Sequence, residues 1–482
     1  MGSIPRAAEP LIQEFAGAFT RPTYPRFVIL LLAAILTTGR RTINNLLRTV
    51  QHLAPGHPSS YHRVFSRRRW SSWKLARALA EYILRHWIPR GPVPLCGDDT
   101  VDEHRGKKVY GKACHRDAVR STHSFTAYRW GHKLVVLTIL VKFPFAVRPW
   151  ALPVLVALYR GAEKDKSKSK SKSKSKSKSK SKSKRPKDKA KARRRARKAE
   201  AARPRHKTPS ELMRQLLAVL MRWFPERQFI FAGDGGYGTH ELARFAHQHE
   251  ARLTLVSRFY PDANLYAPPP PVRGKKNGRP RKKGRKRPAP QEVVKRSKRS
   301  RLTVAWYGGG TRRVEVVSEA AHWFQNGEGL VPVRWVYVHD LTGTHRDEYF
   351  FTTDVALTPK RLIETFTARW SIETTFQELR AYLGLETTRG WSEATVLRAA
   401  PCLFGLFSVI ALLYAQLPAG QARTGLLSWP GKTDRTFSDA ITAVRRWLWV
   451  DWVFATPRHH HAFAKLSGPT RAVLLYALAP AA

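Results

Sequence analysis

The sequence predicts an α/β protein: a sheet-based core carrying a β-rich insertion, with helical regions before and after it. Three observations predict this. Residues 1–90 hold apolar stretches at helical spacing, broken by basic clusters such as Arg40-Arg41 and Arg67-Arg68-Arg69. From Pro92 the pattern changes to short apolar runs, and four more strand-like runs follow between residues 302 and 353 before a helical pattern returns at Pro359. At 482 residues, with 43% hydrophobic content, 15 Trp and 22 Phe, the chain is long enough for two to four domains and can fill sizeable cores.

Taken in order, residues 1–90 read as a helical domain. Segments 42–50 and 59–70, joined by a Pro/Gly turn over 55–58, have the rhythm of two helices and a turn. The second carries Tyr61, His62, Arg63, Arg67, Arg68 and Arg69, side chains suited to phosphate and groove contacts. A helical bundle with a solvated basic face gives the same pattern, so both readings stand at this level.

Residues 91–260 are expected to form the first part of the core. Strands fall around Leu95-Cys96, 134–141 and 154–158, and a helix over 210–223 has Leu212, Leu216, Leu217, Leu220 and Trp223 on one face. A buried strand over 228–232 ends in Gly233-Asp234-Gly235-Gly236-Tyr237-Gly238, followed by a short helix over 240–249 and a strand over 252–256. Within this part, the Lys-Ser alternation of 166–184 has nothing apolar to bury and repels itself, so 162–207 is expected to be a disordered insertion.

Residues 261–345 read as a basic loop and a β-rich insertion with strands over 302–306, 313–317 and 333–338. The rest of the core spans 346–418, with a strand over 348–353 and one helix from Pro359, a good first-turn residue, to about Leu383. Residues 419–482 form a helical C-terminal region. The apolar run 399–417 approaches the roughly 20 residues of a membrane helix. It is the sole run of its kind and follows a charged amphipathic helix, so it reads as a buried core helix, with no membrane partner.

The formal charge of +53 exceeds anything solubility requires and makes nucleic acid the expected partner. Residues 164–207 hold 23 Lys/Arg against 3 Asp/Glu, and 273–301 hold 15 against 1. The remainder still carries +19, so the basic character does not depend on these two runs. Cys96, Cys114 and Cys402 are too widely spaced for a zinc knuckle or a disulfide framework. With no secretory pattern at the N-terminus, a cytoplasmic location is expected.

Three carboxylates carry the candidate chemistry. Asp98 and Asp99 compete for the first place; alternation along a strand sends them to opposite faces, and Asp98, sharing its face with Thr100, is preferred. Asp234 closes an apolar strand between glycines that let a phosphate or metal come close to the backbone. Along the helix from Pro359, Phe366, Arg369, Glu373 and Arg380 fall on one narrow face at 100° per residue, placing a carboxylate between two guanidinium groups. The element order is that of a ribonuclease-H-like core. Three carboxylates are the minimal donor set for two Mg2+ ions about 4 Å apart, and Mn2+ can substitute.

With these residues in view, the sequence resembles the DDE transposases of bacterial insertion sequences, in particular the hairpin-forming group with a Tyr-x2-Arg-x3-Glu-x6-Lys signature. The resemblance rests on Asp-Asp-Thr at 98–100, Arg105-Gly106-Lys107-Lys108, the glycines around Asp234 and Arg-Trp-Ser-Ile-Glu at 369–373. Phe366 stands where the signature has Tyr, and Arg380 where it has Lys. The resemblance implies a catalytic and metal-binding set of Asp98, Asp234 and Glu373. It further implies phosphate contacts from Arg369, Arg380 and Phe366, and recognition of inverted-repeat ends by the N-terminal helices, including Arg67, Arg68 and Arg69. It implies cut-and-paste chemistry on double-stranded element ends and target DNA by a homodimer on DNA. Trp306, Trp323 and Trp335 are candidates for the tryptophan that such enzymes place at a flipped base, though each also suits a core. Two rival readings share these residues: a catalytically inactive nucleic-acid-binding protein, and a metal-dependent nuclease without strand transfer.

Overall fold

The computed structural model describes residues 4–117, 120–161, 206–271, 281–423, 430–432 and 434–480. The insertion expected over 162–207, with its Lys-Ser alternation, lies outside the described residues except for 206 and 207, as do residues 272–280 of the second basic run. Eleven strands form one mixed sheet among them: β1 (Val93–Glu103), β2 (Ala113–Arg116), β3 (Tyr128–Val141), β4 (Trp150–Tyr159), β5 (Phe229–Gly233), β6 (Leu253–Arg258), β7 (Leu265–Tyr266), β8 (Ser300–Ala305), β9 (Thr311–Gln325), β10 (Gly329–Asp340) and β11 (Glu348–Thr352). Their order is β2-β3-β1-β5-β6-β11-β10-β9-β7, with β4 also on β3 and β8 on β9.

β1 and β4 flank β3 antiparallel, and β5 and β6 continue the sheet parallel to β1. A parallel neighbour cannot be reached by a tight turn, so these connections carry helices, Pro209–Trp223 before β5 and His240–Gln248 before β6. β11, β10 and β9 then return antiparallel. Helices cover both faces of the first half. Met213 of the Pro209–Trp223 helix lies against Gly97, while Arg369 meets its neighbour Asp98 on the opposite face. Burial on both sides explains why β3 is apolar without alternation from Leu134 onward.

The N-terminal helices share this core. The Tyr24–Leu36 helix is buried from Phe27 to Leu36 and belongs to the same hydrophobic cluster as β1, β3 and the Glu393–Gln416 helix. The latter is long and apolar enough to cross a membrane. In this fold two thirds of its most apolar window is inside the protein, it packs on β4, and Ser408 Oγ donates to the Pro153 carbonyl at 2.8 Å. A second cluster joins β8, β9, β10 and β11 to the Pro359–Ala368 helix through Val304, Val316, Val336, Phe350, Leu362 and Phe366.

Several elements differ from the sequence reading. β1 runs eleven residues, not just around Leu95-Cys96, and β2 and β7 have no counterpart in it. Part of the second basic run is not loop: Pro290–Arg296 is a helix, with Pro290 in its first turn and the Glu292 side chain accepting from Ala289 N–H at 3.1 Å. The single helix expected over 359–383 is two, Pro359–Ala368 and Ser371–Leu383.

Gly131 of β3 sits tight against β1, where an added Cβ would collide with the Asp102 carbonyl oxygen. That neighbour is backbone and cannot turn aside. Gly131→Ala is therefore expected to destabilise the fold by about 3 kcal/mol or more, above the usual overpacking cost. The urea midpoint checks it; an unchanged midpoint would show that the two strands can part there freely.

Candidate active site

Asp98 stands in the middle of β1 on the face covered by the Ser371–Leu383 helix. Its Oδ1 accepts from Asp99 N–H at 2.7 Å and its Oδ2 from Arg369 Nη1 at 3.2 Å. Asp99 is engaged elsewhere, 2.8 Å from Lys133 Nζ and accepting from the Tyr237 hydroxyl at 3.2 Å. Asp234 follows directly on β5. Its Oδ1 accepts from Gly236 N–H at 3.0 Å, its carbonyl from Ser257 Oγ at 2.7 Å and from Tyr237 N–H at 3.0 Å. Gly233 is required because a Cβ there would lie 2.7 Å from that of Tyr237. Glu373, third residue of its helix and half exposed, accepts from Arg369 Nη2 at 3.0 Å.

Arg369 thus bridges carboxylates from two elements and lies within the field of a third. Burial opposes its charge, but Asp98, Glu373 and Asp234 together hold the guanidinium above its ordinary range. Asp98 is pushed up to about 7, first by burial and then by the like charge of Asp234, against the pull of Arg369. Burial also raises Asp234; Arg369 lowers it and Asp99 raises it further. An all-oxygen donor set suits a hard divalent cation. Mutual repulsion of buried carboxylates is the condition that such a cation relieves. The residues present therefore fit a divalent metal.

The four residues expected on one helix face are not on one. Between the two helices, Arg369, Trp370, Ile372 and Glu373 bond to carbonyls three residues back, and this tighter winding advances each residue by more than 100°. Arg369 therefore occupies the junction. Arg380 reaches past Glu373's neighbourhood to donate to Thr100 Oγ1 and pairs with Glu386 at 3.5 Å. Phe366 is fully buried, its ring stacked on Phe350 at 4.2 Å, with the Arg369 guanidinium 5.5 Å from the ring centre. It packs the core and offers nothing to a phosphate. Phe366→Ala is accordingly expected to cost about 3–5 kcal/mol of stability with DNA affinity of the folded protein unchanged; urea unfolding and a binding titration check the pair, and a selective loss of affinity would put the ring on DNA.

Arg67, Arg68 and Arg69 follow the Pro58–Ser66 helix; Arg67 and Arg69 are exposed and Arg68 is half-buried, while Tyr61 and Val64 of that helix face the core. Arg67 borders a cavity shared with Arg41, Arg389 and Trp391, away from the three carboxylates. Trp306, Trp323 and Trp335 are all buried, whereas Trp370, beside Glu373, is more than a third exposed with Arg148 over its ring at 5.6 Å. Sequence reasoning includes Trp370 and Tyr237 in its motifs without assigning them a role, and passes over Lys133. Tyr237 is legible, lying three residues after Asp234; Lys133 is not, since only strand pairing brings it to Asp99.

Acidic side chains from β1, the end of β5 and a helix are thus gathered about one buried arginine. Residues 14–313 match the family described as DDE superfamily endonuclease, and the chain belongs to that family. Residues 313–406 match the family described as archaeal putative transposase ISC1217. Asp98 and Asp234 fall in the first match and Glu373 in the second. Among solved structures, the chain is similar to a piggyBac transposase in a synaptic complex with hairpin DNA, at 11% identity and a TM-score of 0.37, covering 98% of this chain and 85% of that one. No curated protein matches it.

Proposed function

We propose that the chain is a DNA transposase that binds insertion-sequence ends and carries out metal-dependent cleavage and strand transfer in a cut-and-paste reaction. One observation carries the reading: Asp98, Asp234 and Glu373, from three separate elements, converge around Arg369. The sheet order supports it, since β4-β3-β1-β5-β6 is the strand order of a ribonuclease-H-like core.

In this reading Asp98, Asp234 and Glu373 hold two Mg2+ ions, with Mn2+ as substitute. When bound, the ions stabilise charge on the attacking and leaving oxygens of an in-line displacement at phosphorus. Asp98 and Asp234, fixed by backbone N–H groups, keep their oxygens in place without reorganisation. Glu373, the most exposed of the three, closes the site from the solvent side. Arg369 holds Asp98 and Glu373 in register before substrate arrives and can turn one guanidinium edge to the scissile phosphate. Arg380, anchored on Thr100, orients the backbone beside it.

The N-terminal helices would recognise the inverted repeats, two chains pairing two ends as a homodimer on DNA. Replacing Arg67, Arg68 and Arg69 together by Ala is expected to weaken binding of all DNA sequences and to flatten the plot of log affinity against log salt by up to about 2.7, at roughly 0.9 for each phosphate no longer neutralised. An unchanged slope would remove these residues from the interface. The function itself is tested with purified protein and Mg2+ on DNA carrying the element's ends. Double-strand excision and joining to target DNA are expected; cutting without joining would make it a nuclease only, and binding without either would overturn catalysis.

A further inference from the structure

Farther along the same face of β1 that carries Asp98 and Thr100, a second group of side chains converges. Asp102 pairs with His132 across the β1–β3 ladder, and His104, one residue past the end of β1, returns to the same face. All three are buried, Asp102 at 1% exposure, His132 at 2% and His104 at 8%. His104 Nε2 lies 3.0 Å from Asp102 Oδ2, and one donor atom from each residue falls within 4.8 Å of the other two.

The protonation pattern suits a ligand role. His132 Nε2 is 2.8 Å from the Tyr110 carbonyl oxygen. A carbonyl only accepts, so Nε2 carries the proton and Nδ1 keeps the lone pair. A second-sphere carbonyl of this kind fixes the tautomer of metal-binding imidazoles. Meanwhile Asp102 Oδ1 is buried with no hydrogen-bond partner among the described residues. An unmatched carboxylate oxygen in the interior is costly unless a cation meets it.

We propose that Asp102, His104 and His132 form a binding site for a single zinc-like divalent cation, separate from the Asp98, Asp234 and Glu373 group. Two imidazoles and one carboxylate favour Zn2+ over Mg2+, which prefers oxygen donors throughout. Ligands about 2.0–2.2 Å from a tetrahedral ion stand roughly 3.3 Å apart, close to the Asp102–His104 distance already present. A cavity of about 560 Å3, lined by His104, Glu103, Arg105, Glu386 and Trp391 among others, reaches the group from the His104 side. The ion ties the end of β1 to the start of β3 and, through His132, to the Tyr110 segment. It thereby stiffens the strand that presents Asp98, and this role does not depend on the transposase reading.

The test measures metal directly. The full chain is purified without a histidine tag, stripped with EDTA and titrated with Zn2+ by equilibrium dialysis and with Co2+ by visible absorption. His459, His460 and His461, a tract that can bind metal by itself, are replaced by Ala in a parallel preparation. One Zn2+ per chain in the preparation without that tract and an intense four-coordinate Co2+ spectrum are expected, both retained when Asp234→Ala is added to it. His132→Gln or His104→Gln should weaken Zn2+ by about 100-fold or more, beyond the 10–100-fold typical of second-sphere changes. The proposal is overturned if the parent chain binds no Zn2+, if both histidine variants bind it equally well, or if Asp234→Ala abolishes it. Should the histidine variants fail to fold by circular dichroism, the spectrum of the chain without the 459–461 tract decides: a faint six-coordinate oxygen-type spectrum overturns the site.

Discussion

Glu373→Gln is expected to reduce DNA cleavage and strand transfer by about 1,000-fold or more, the equivalent of roughly 4 kcal/mol of transition-state stabilisation, while leaving affinity for element ends within a few-fold of the parent. The substitution keeps size and hydrogen bonding but removes the charge that faces Arg369 at 3.0 Å. Because Glu373 is half exposed, stability should fall only by the roughly 0.3–1 kcal/mol that a carboxylate contributes in the first turn of a helix. Gel-based cleavage and joining assays beside a binding titration check all three quantities. Retention of cleavage would remove Glu373 from the chemistry and with it the proposed triad.

Arg369→Ala should act on stability as well as rate. Arg369 is buried and bridges Asp98 to Glu373, so its loss leaves Asp98 and Asp234 facing each other with no cation between them. Removing one partner of such a buried group costs about 3–5 kcal/mol. The pH dependence has a definite sign. Asp98 is already raised to about 7, above its unfolded value, so its folded form holds a proton that the unfolded chain gives up. Such a group leaves stability intact below its unfolded pKa and withdraws it as pH rises through the folded value. Without Arg369 the folded value climbs further. The deficit of Arg369→Ala should therefore be larger at about pH 8 than at about pH 5 when unfolding is followed by urea without divalent ions. Equal deficits would mean that Arg369 packs rather than neutralises. Arg369→Lys should recover little, because one ammonium cannot bond both carboxylates in the fixed fork of a guanidinium.

Much of this molecule is written locally. Asp234 can be located because an apolar run stops at it and glycines follow. Strand alternation separates Asp98 from Asp99, and the structure turns the first to Arg369 and the second to Lys133 and Tyr237. The helix face is a different matter. Spacing assumes uninterrupted winding, but Phe366 belongs to the buried face of the first helix with Leu362 and Ile363, and three-residue bonds at the junction turn the second helix relative to it and leave Arg369 at the break. No local signal marks that junction, since neither Gly nor Pro stands at 369–370. The helix inside the second basic run is hidden for a different reason: its charge dominates the pattern, while Pro290 and Glu292 form the first turn.

The amino-acid sequence by itself determined the α/β class, the basic character, the apolar elements and the acidic residue that ends an apolar strand at 234, because burial periodicity and charge are properties of short stretches of chain. Only the tertiary structure decided which of those residues meet. Arg369 reaches Asp98 across 271 positions of sequence, and Arg380 reaches Thr100 across 280. The pairing of Asp102 with His132 depends on the register of β1 against β3, which rests on the missing side chain of Gly131. Those contacts follow from sheet order and helix docking, which the whole core selects together, and no segment encodes them alone.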